Sequence, residues 1–279
     1  MKKIYKIIDI NIEKIWGSKK IEHKIIGEVI KFEINEKQSN DIVDNQGNIY
    51  NLYELYSGKH RKYFFGKHFL NREVVPFMIK YIYSNKKLSL QVHPKEKKET
   101  WLFLKDNSKI ILGLKNDMRQ NQINVDSLLI NSNVVNCNKY DFAVVEPGII
   151  HSILENNFVC EIQNNYDVTY RYYDWDNNRS LTTKEFVENA NFNKYNLKKN
   201  ILHNFKKYNS LNFSIKKFSI KKMKKFYKKS DFQILIILDG YGIINTSNES
   251  LEVKKDETYF ILPKLNYTIF GNLDVLVVS

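Results

Sequence analysis

The sequence predicts a mainly β protein, made of two related β-units with few helices. Two observations carry that prediction. Short apolar or alternating runs recur between Gly, Asn and Asp turn residues along most of the chain, and one such stretch is echoed further on by a second of the same spacing. With 279 residues, 43% of them hydrophobic, the chain can bury a substantial core.

The strand-like runs fall at 7–12, 77–83, 88–92, 101–104, 109–114, 142–145, 159–163, 234–238, 259–262 and 274–278. One helix is expected to begin at Thr182, where Thr182 and Glu185 have capping-box spacing ahead of Phe186 and Val187. Shorter helices are expected near 52–56 and 125–129. The echo pairs Asp141-Phe142-Ala143-Val144-Val145-Glu146-Pro147-Gly148 and His151 with Glu257-Thr258-Tyr259-Phe260-Ile261-Leu262-Pro263 and Tyr267. In both, an acidic residue lies six positions before a proline, and a ring-bearing residue four after it. The first copy keeps a metal-binding side chain there and the second does not. The stretch between, about 185–212, is rich in Asn and Lys and reads as a connector. The expected division is 1–190 as the catalytic segment with the metal site and 191–279 as a second, ligand-free unit.

Composition narrows the function classes. The formal charge is +13, from 44 basic and 31 acidic residues, but only five of the basic residues are arginine. Dedicated phosphate readers use Arg forks as well as Lys. The densest run, 214–229, interleaves Lys pairs with apolar residues, as in a solvated face whose Lys stems cover an apolar edge. No nucleic-acid partner is expected. Nor is a membrane partner, since no apolar run approaches the ~20 residues that span a bilayer. The start Met1-Lys2-Lys3-Ile4-Tyr5-Lys6 lacks the apolar stretch of a secretory signal. Cys137 and Cys160 are too few for a disulfide framework, which fits a cytoplasmic setting. The sequence sets no oligomeric state.

The stretch from Leu88 to Trp101, LSLQVHPKEKKETW, carries the chemistry. Residues two apart on a strand share a face, so Ser89, Gln91 and His93 project together and Leu88, Leu90 and Val92 project to the core. Three polar groups on an inner face are costly to bury without partners. Pro94 ends the strand, and Glu99 returns on a neighbouring one. A second imidazole, His151, follows the Pro147-Gly148 turn. Two His, one Glu and a Gln oxygen suit Zn²⁺ or another divalent ion and leave positions open for water or substrate.

These motifs resemble those of the class I mannose-6-phosphate isomerases, particularly the short bacterial form. Trp16-Gly17 and Ile26-Gly27-Glu28 are similar to early family motifs, and Leu88 to Pro94 matches the hallmark leucine-serine-x-glutamine-x-histidine-proline. Glu99-Thr100-Trp101, the turn leading to His151, Glu161-Ile162-Gln163 and the block Thr169 to Trp175 follow in the family's order. The resemblance implies two cupin-like jelly-roll units and interconversion of mannose 6-phosphate and fructose 6-phosphate through an enediol(ate). It implies one divalent ion per chain, Zn²⁺ or another, held by Gln91, His93, Glu99 and His151. It implies Arg171 and Lys97 as catalytic residues, Ser89 as a phosphate-binding residue and a small sugar phosphate as partner. The general base stays open among Lys97, a metal-bound hydroxide and an unassigned carboxylate. A cupin module that binds sugar phosphate without turnover is the alternative, and an iron-dependent cupin oxygenase is a second one. The chain departs from the family in three places, one being Glu146, which stands where proline is common, with Pro147 one place later. Only five residues separate His93 from Glu99, and Asn177 stands where many relatives carry a basic residue.

Overall fold

The computed structural model describes residues 4–175 and 177–279 and is mainly β, as expected. The chain divides into two compact units. A central unit comprises Asn11–Val29 and Ile79–Phe205, and a terminal unit comprises Met1–Ile10, Ile30–Met78 and Lys206–Ser279. The expected segment 1–190 therefore contributes to both units, while its candidate site residues all fall in the central one. The N-terminal strand Ile4–Ile7 is responsible for part of this interleaving, since it pairs antiparallel with Thr258–Ile261. No helix among the described residues is long and apolar enough to cross a membrane.

Two sheets build the central unit. One runs in the order Ser132–Cys137, Ser108–Leu114, His151–Ile153, Leu90–Val92, Tyr170–Tyr173. The other contains Ile201–Leu202, Phe142–Val145, Glu99–Phe103 and Asn157–Asn164 in that order, then Phe77–Ser84. Period-two alternation decides which residue goes where. Ile110, Leu112 and Ile153 join Trp101, Phe103, Ala143, Val145 and Val159 in one cluster, drawing on both sheets. Ile111, Leu114, Leu90 and Val92 point the other way, into a cluster capped by Leu128 and Phe186 from helices Val125–Asn131 and Thr183–Asn189. Leu88 departs from its expected side and packs with the first cluster.

The terminal unit is organised around the long strands Gln233–Asn245 and Tyr267–Val278, which pair antiparallel along most of their length. Its apolar cluster includes Leu235, Ile237, Tyr259, Ile261, Tyr267 and Val275. Phe32, Phe65, Phe77 and Phe260 gather around Phe232.

Three local expectations needed revision. The 7–12 run is split into Ile4–Ile7 and Ile10–Glu13, with Asp9 between them bonded to the buried Lys31 ammonium at 2.6 Å. Thr182 does precede helix Thr183–Asn189, but its side chain makes no capping bond; its hydroxyl accepts from the Arg171 amide instead, at 2.7 Å. The 185–212 connector holds most of that helix and the strands Ile201–Leu202 and Lys207–Asn209.

Candidate active site

Register assembles the site. Gln91 lies directly opposite His151 on one side and Arg171 on the other, so Arg171, Gln91 and His151 form a row on one face of three neighbouring strands. His93 follows just beyond the Leu90–Val92 strand. Its carbonyl accepts from the Gly148 amide at 2.9 Å, which ties it to the turn that delivers His151. Gly148 has φ +75°, and a Cβ there would lie 2.8 Å from the Asn189 carbonyl oxygen, so the turn requires glycine. Glu99 opens the facing strand Glu99–Phe103.

The ligand atoms of His93, Glu99 and His151 lie within 4.8 Å of one another, and all three residues are buried. Each imidazole spends its Nδ1 on a backbone carbonyl: His93 on Val168 at 2.9 Å, His151 on Ile149 at 2.7 Å. A carbonyl only accepts, so each Nδ1 carries the proton and each Nε2 keeps a lone pair. Those lone pairs face Glu99, with His93 Nε2 at 2.9 Å from Oε1 and His151 Nε2 at 3.9 Å from Oε2. Burial pushes both imidazoles toward the neutral form and takes His151 down to about 3. Burial alone would raise the Glu99 carboxyl, but positive charge beside it, His93 when protonated and the Lys97 ammonium 3.0 Å away, holds it well below the usual carboxylate range. Neither His93 Nε2 nor Glu99 Oε2 has a hydrogen-bond partner. Converging lone pairs and a carboxylate in a buried cluster repel one another unless a cation sits among them. The donor set therefore fits a divalent metal ion.

Sequence comparison bears on the same point. Residues 203–279 match the family model described as mannose-6-phosphate isomerase, cupin domain. The chain is 32% identical over 128 residues to the protein named "Probable mannose-6-phosphate isomerase GmuF" of Bacillus subtilis strain 168, covering 39% of this chain and 40% of that one. It is 25% identical over 209 residues to mannose-6-phosphate isomerase ManA of the same organism, covering 63% and 64%. These stretches of the chain are similar to mannose-6-phosphate isomerases. Its fold agrees with the crystal structure of the mannose 6-phosphate isomerase from Bacillus subtilis at a TM-score of 0.84, with 21% identity and all of both chains covered.

Against that family pattern, the structure brings Gln91, His93, Glu99, His151 and Lys97 together. The Gln91 amide presents its nitrogen to His151 Nε2 at 3.1 Å, and its oxygen accepts from the Ser89 hydroxyl at 2.8 Å. Ser89 is fully buried behind it. Lys97 is buried too, between Glu99 and, at 3.9 Å, Asp167. Arg171 shares the ligand row, and its Nε is buried without an acceptor. Asn177 donates its amide to the Lys87 carbonyl at 2.9 Å and so acts as a tie.

A buried ion pair, Lys80 with Glu161, was missed in the sequence. Lys80 Nζ lies 3.0 Å from Glu161 Oε1, and Trp101 Nε1 donates to Oε2 at 2.9 Å. Glu161 stands opposite Trp101, and Gln163 opposite Glu99, so the pair shares the inner face with the ligand Glu99. Burial raises the Glu161 carboxyl to about 7, and the negative Glu99 adds to the rise against the pull of Lys80. Lys80 is held well above its ordinary value, because Glu161 outweighs the cost of burial with help from Glu28 and Glu99. The signal was present: each is a single charge in an apolar strand, as in Phe77-Met78-Ile79-Lys80-Tyr81-Ile82.

Proposed function

We propose that the chain is an aldose–ketose isomerase that interconverts mannose 6-phosphate and fructose 6-phosphate at the His93–Glu99–His151 cluster. The observation that carries this is the pair of Nε2 lone pairs facing a buried, ionised Glu99 beside Arg171 and the Lys80–Glu161 pair. His93, Glu99 and His151 would hold a divalent ion, Zn²⁺ in our reading, with Gln91 as fourth ligand once its amide turns its oxygen inward. When bound, that ion supplies Lewis-acid polarisation of the substrate's carbonyl oxygen.

The remaining chemistry falls to side chains. Moving a proton between C1 and C2 needs a group that exchanges protons near neutral pH, and Glu161 is the carboxyl tuned for it. Lys80 holds the Glu161 carboxyl in place and balances it when ionised. Lys97 keeps Glu99 ionised and adds positive charge. Arg171 faces the developing enediolate oxygen with an unspent donor. Turning Gln91 breaks the bond it accepts from Ser89, which frees that hydroxyl to bind substrate. We assign catalysis to the 1–190 segment, within its central unit, and a supporting role to 191–279. The buried Cys137 and Cys160, too few for a disulfide framework, support a cytoplasmic placement.

A coupled assay of mannose 6-phosphate conversion, before and after chelation and with Zn²⁺ or other divalent ions added back, tests the reading. Turnover should vanish on chelation and return with the ion. In the reloaded protein Glu161→Gln should retain the metal and lose about 10²–10⁴-fold in kcat. A metal-loaded wild type that binds the sugar phosphate without turning it over would leave a binding module and end the isomerase proposal.

A further inference from the structure

The terminal unit carries a cavity of about 310 Å³, at the small end of the ~300–1,000 Å³ typical of ligand pockets. Lys62 and Lys67 line it from helix Arg61–Phe65 and the short turn that follows, and Lys264 lines it from the turn after strand Thr258–Ile261. Tyr63, Leu262 and Leu265 add an apolar wall. Backbone bonds hold these segments together. The Phe232 amide donates to the Phe65 carbonyl at 3.3 Å, and the Lys264 amide to the Lys229 carbonyl at 2.7 Å. Gly66 bridges to Asp231 so closely that a Cβ there would lie 2.6 Å from the Ser230 carbonyl oxygen.

Among the described residues none of the three ammoniums is paired with a carboxylate. The Asp231 carboxylate beside Gly66 is already taken, by the His68 ring nitrogen at 2.6 Å and the Ser230 hydroxyl at 2.8 Å. Like charges gathered on a concave, partly apolar wall repel one another and concentrate a field that draws an anion. Lys264 adds an independent sign. It sits at φ +62°, a left-handed backbone that suits glycine, and the matching turn of the central unit does have a glycine, Gly148 at φ +75°. A lysine kept there against its backbone preference, with its side chain on the cavity wall, marks a position held for what that side chain binds.

We infer that this cavity of the terminal unit is a binding site for a small organic phosphate, its anionic group held by Lys62, Lys67 and Lys264 and its apolar part set against Tyr63, Leu262 and Leu265. The inference is independent of the isomerase reading, whose residues lie in the central unit. Calorimetric titration of phenyl phosphate into the full chain tests it. Lys264→Gly and Lys62→Gln should each weaken binding about three- to fivefold, and the two together about tenfold or more. Lys264→Gly removes the charge while easing the backbone, so a loss of binding in that variant does not come from unfolding. Inorganic phosphate, which lacks the ring, should bind the wild type several-fold more weakly than phenyl phosphate. Equal affinities for the two would overturn the assignment to an organic phosphate. A wild type that does not bind phenyl phosphate, or a double variant that binds it as tightly as the wild type, would overturn the site. If the double variant does not fold, Lys62→Gln with Lys67→Gln, both exposed positions, decides in the same way: weakened binding supports the site and unchanged binding removes it.

Discussion

The two halves of the internal echo share one frame but have different linings. In the central unit Tyr140 has φ +70° and Gly148 φ +75°; at the matching places of the terminal unit Asp256 has φ +69° and Lys264 φ +62°. Asp141 accepts the amide of Asn138 at 2.9 Å, and Glu257 accepts that of Lys254 at the same distance. Phe103 exchanges backbone bonds with Tyr140 and Asp141, as Ile237 does with Asp256 and Glu257. Carried along the strands, this frame sets Glu99, opposite Val145, against Gln233, opposite Ile261. It sets His151, opposite Gln91, against Tyr267, opposite Phe226. Where one unit has an imidazole, a carboxylate and an amide, the other has a phenol stacked 4.8 Å from a phenyl ring, and a neutral glutamine. The fold supplies positions; the few side chains at those positions decide whether a charge can be held there.

Making the central unit resemble the terminal one should have the largest effect. Glu99→Gln installs the residue found at 233 and removes the only carboxylate of the ligand cluster. Loss of groups that merely support metal ligands costs about 10–100-fold in affinity or activity, so losing this charge should exceed ~100-fold in both. Metal content by atomic spectroscopy, alongside turnover, reads it. A Glu99→Gln protein with a full equivalent of ion would show that the carboxylate is dispensable and break the comparison.

The reverse change should not create a site. Tyr267→His places an imidazole in a cluster of Ile244, Tyr259, Ile269 and Leu273, with Phe226 and Gln233 where the other ligands would be needed. The expected outcome is no gain of bound ion and a loss of about 2–4 kcal/mol in urea unfolding, from lost packing and a buried polar ring. A second metal equivalent per chain would mean that the frame alone suffices.

Much of this contrast was visible in the sequence because it depends on short-range spacing. The i, i+2 pattern of Ser89, Gln91 and His93 and the matched proline-to-ring spacing are local, and the structure keeps both. What escaped depends on which strands meet. Lys80 and Glu161 come from different strands, and only the pairing of Asn157–Asn164 with Glu99–Phe103, which sets Glu161 opposite Trp101, shows that they belong to the site. The terminal unit is assembled from three stretches because Ile4–Ile7 pairs with residues more than two hundred positions away, which no local pattern announces. Thr182 had capping spacing, yet an edge-strand amide competed for its hydroxyl.

The smallest expected effect concerns the turn that both units share. Gly148 and Lys264 occupy the same left-handed position one residue after a proline, but only the central unit has glycine there. Gly148→Ala adds a Cβ 2.8 Å from the Asn189 carbonyl and places it at positive φ, which costs about 1–2 kcal/mol from the backbone alone. The shift would also disturb the amide that holds the His93 carbonyl, so metal affinity should fall with stability. Lys264→Gly works in the opposite direction. The Lys264 side chain is exposed, and its amide bond to the Lys229 carbonyl, 2.7 Å, survives in glycine. Relief of about 1–2 kcal/mol of left-handed strain outweighs the ~0.5–1 kcal/mol that glycine's freer unfolded chain takes back, so the variant should gain about 0.5–1 kcal/mol. Parallel urea titrations of the two variants give the answer as opposite signs. Two losses of similar size would show that the turns are equivalent in shape but not in what each demands of its residue.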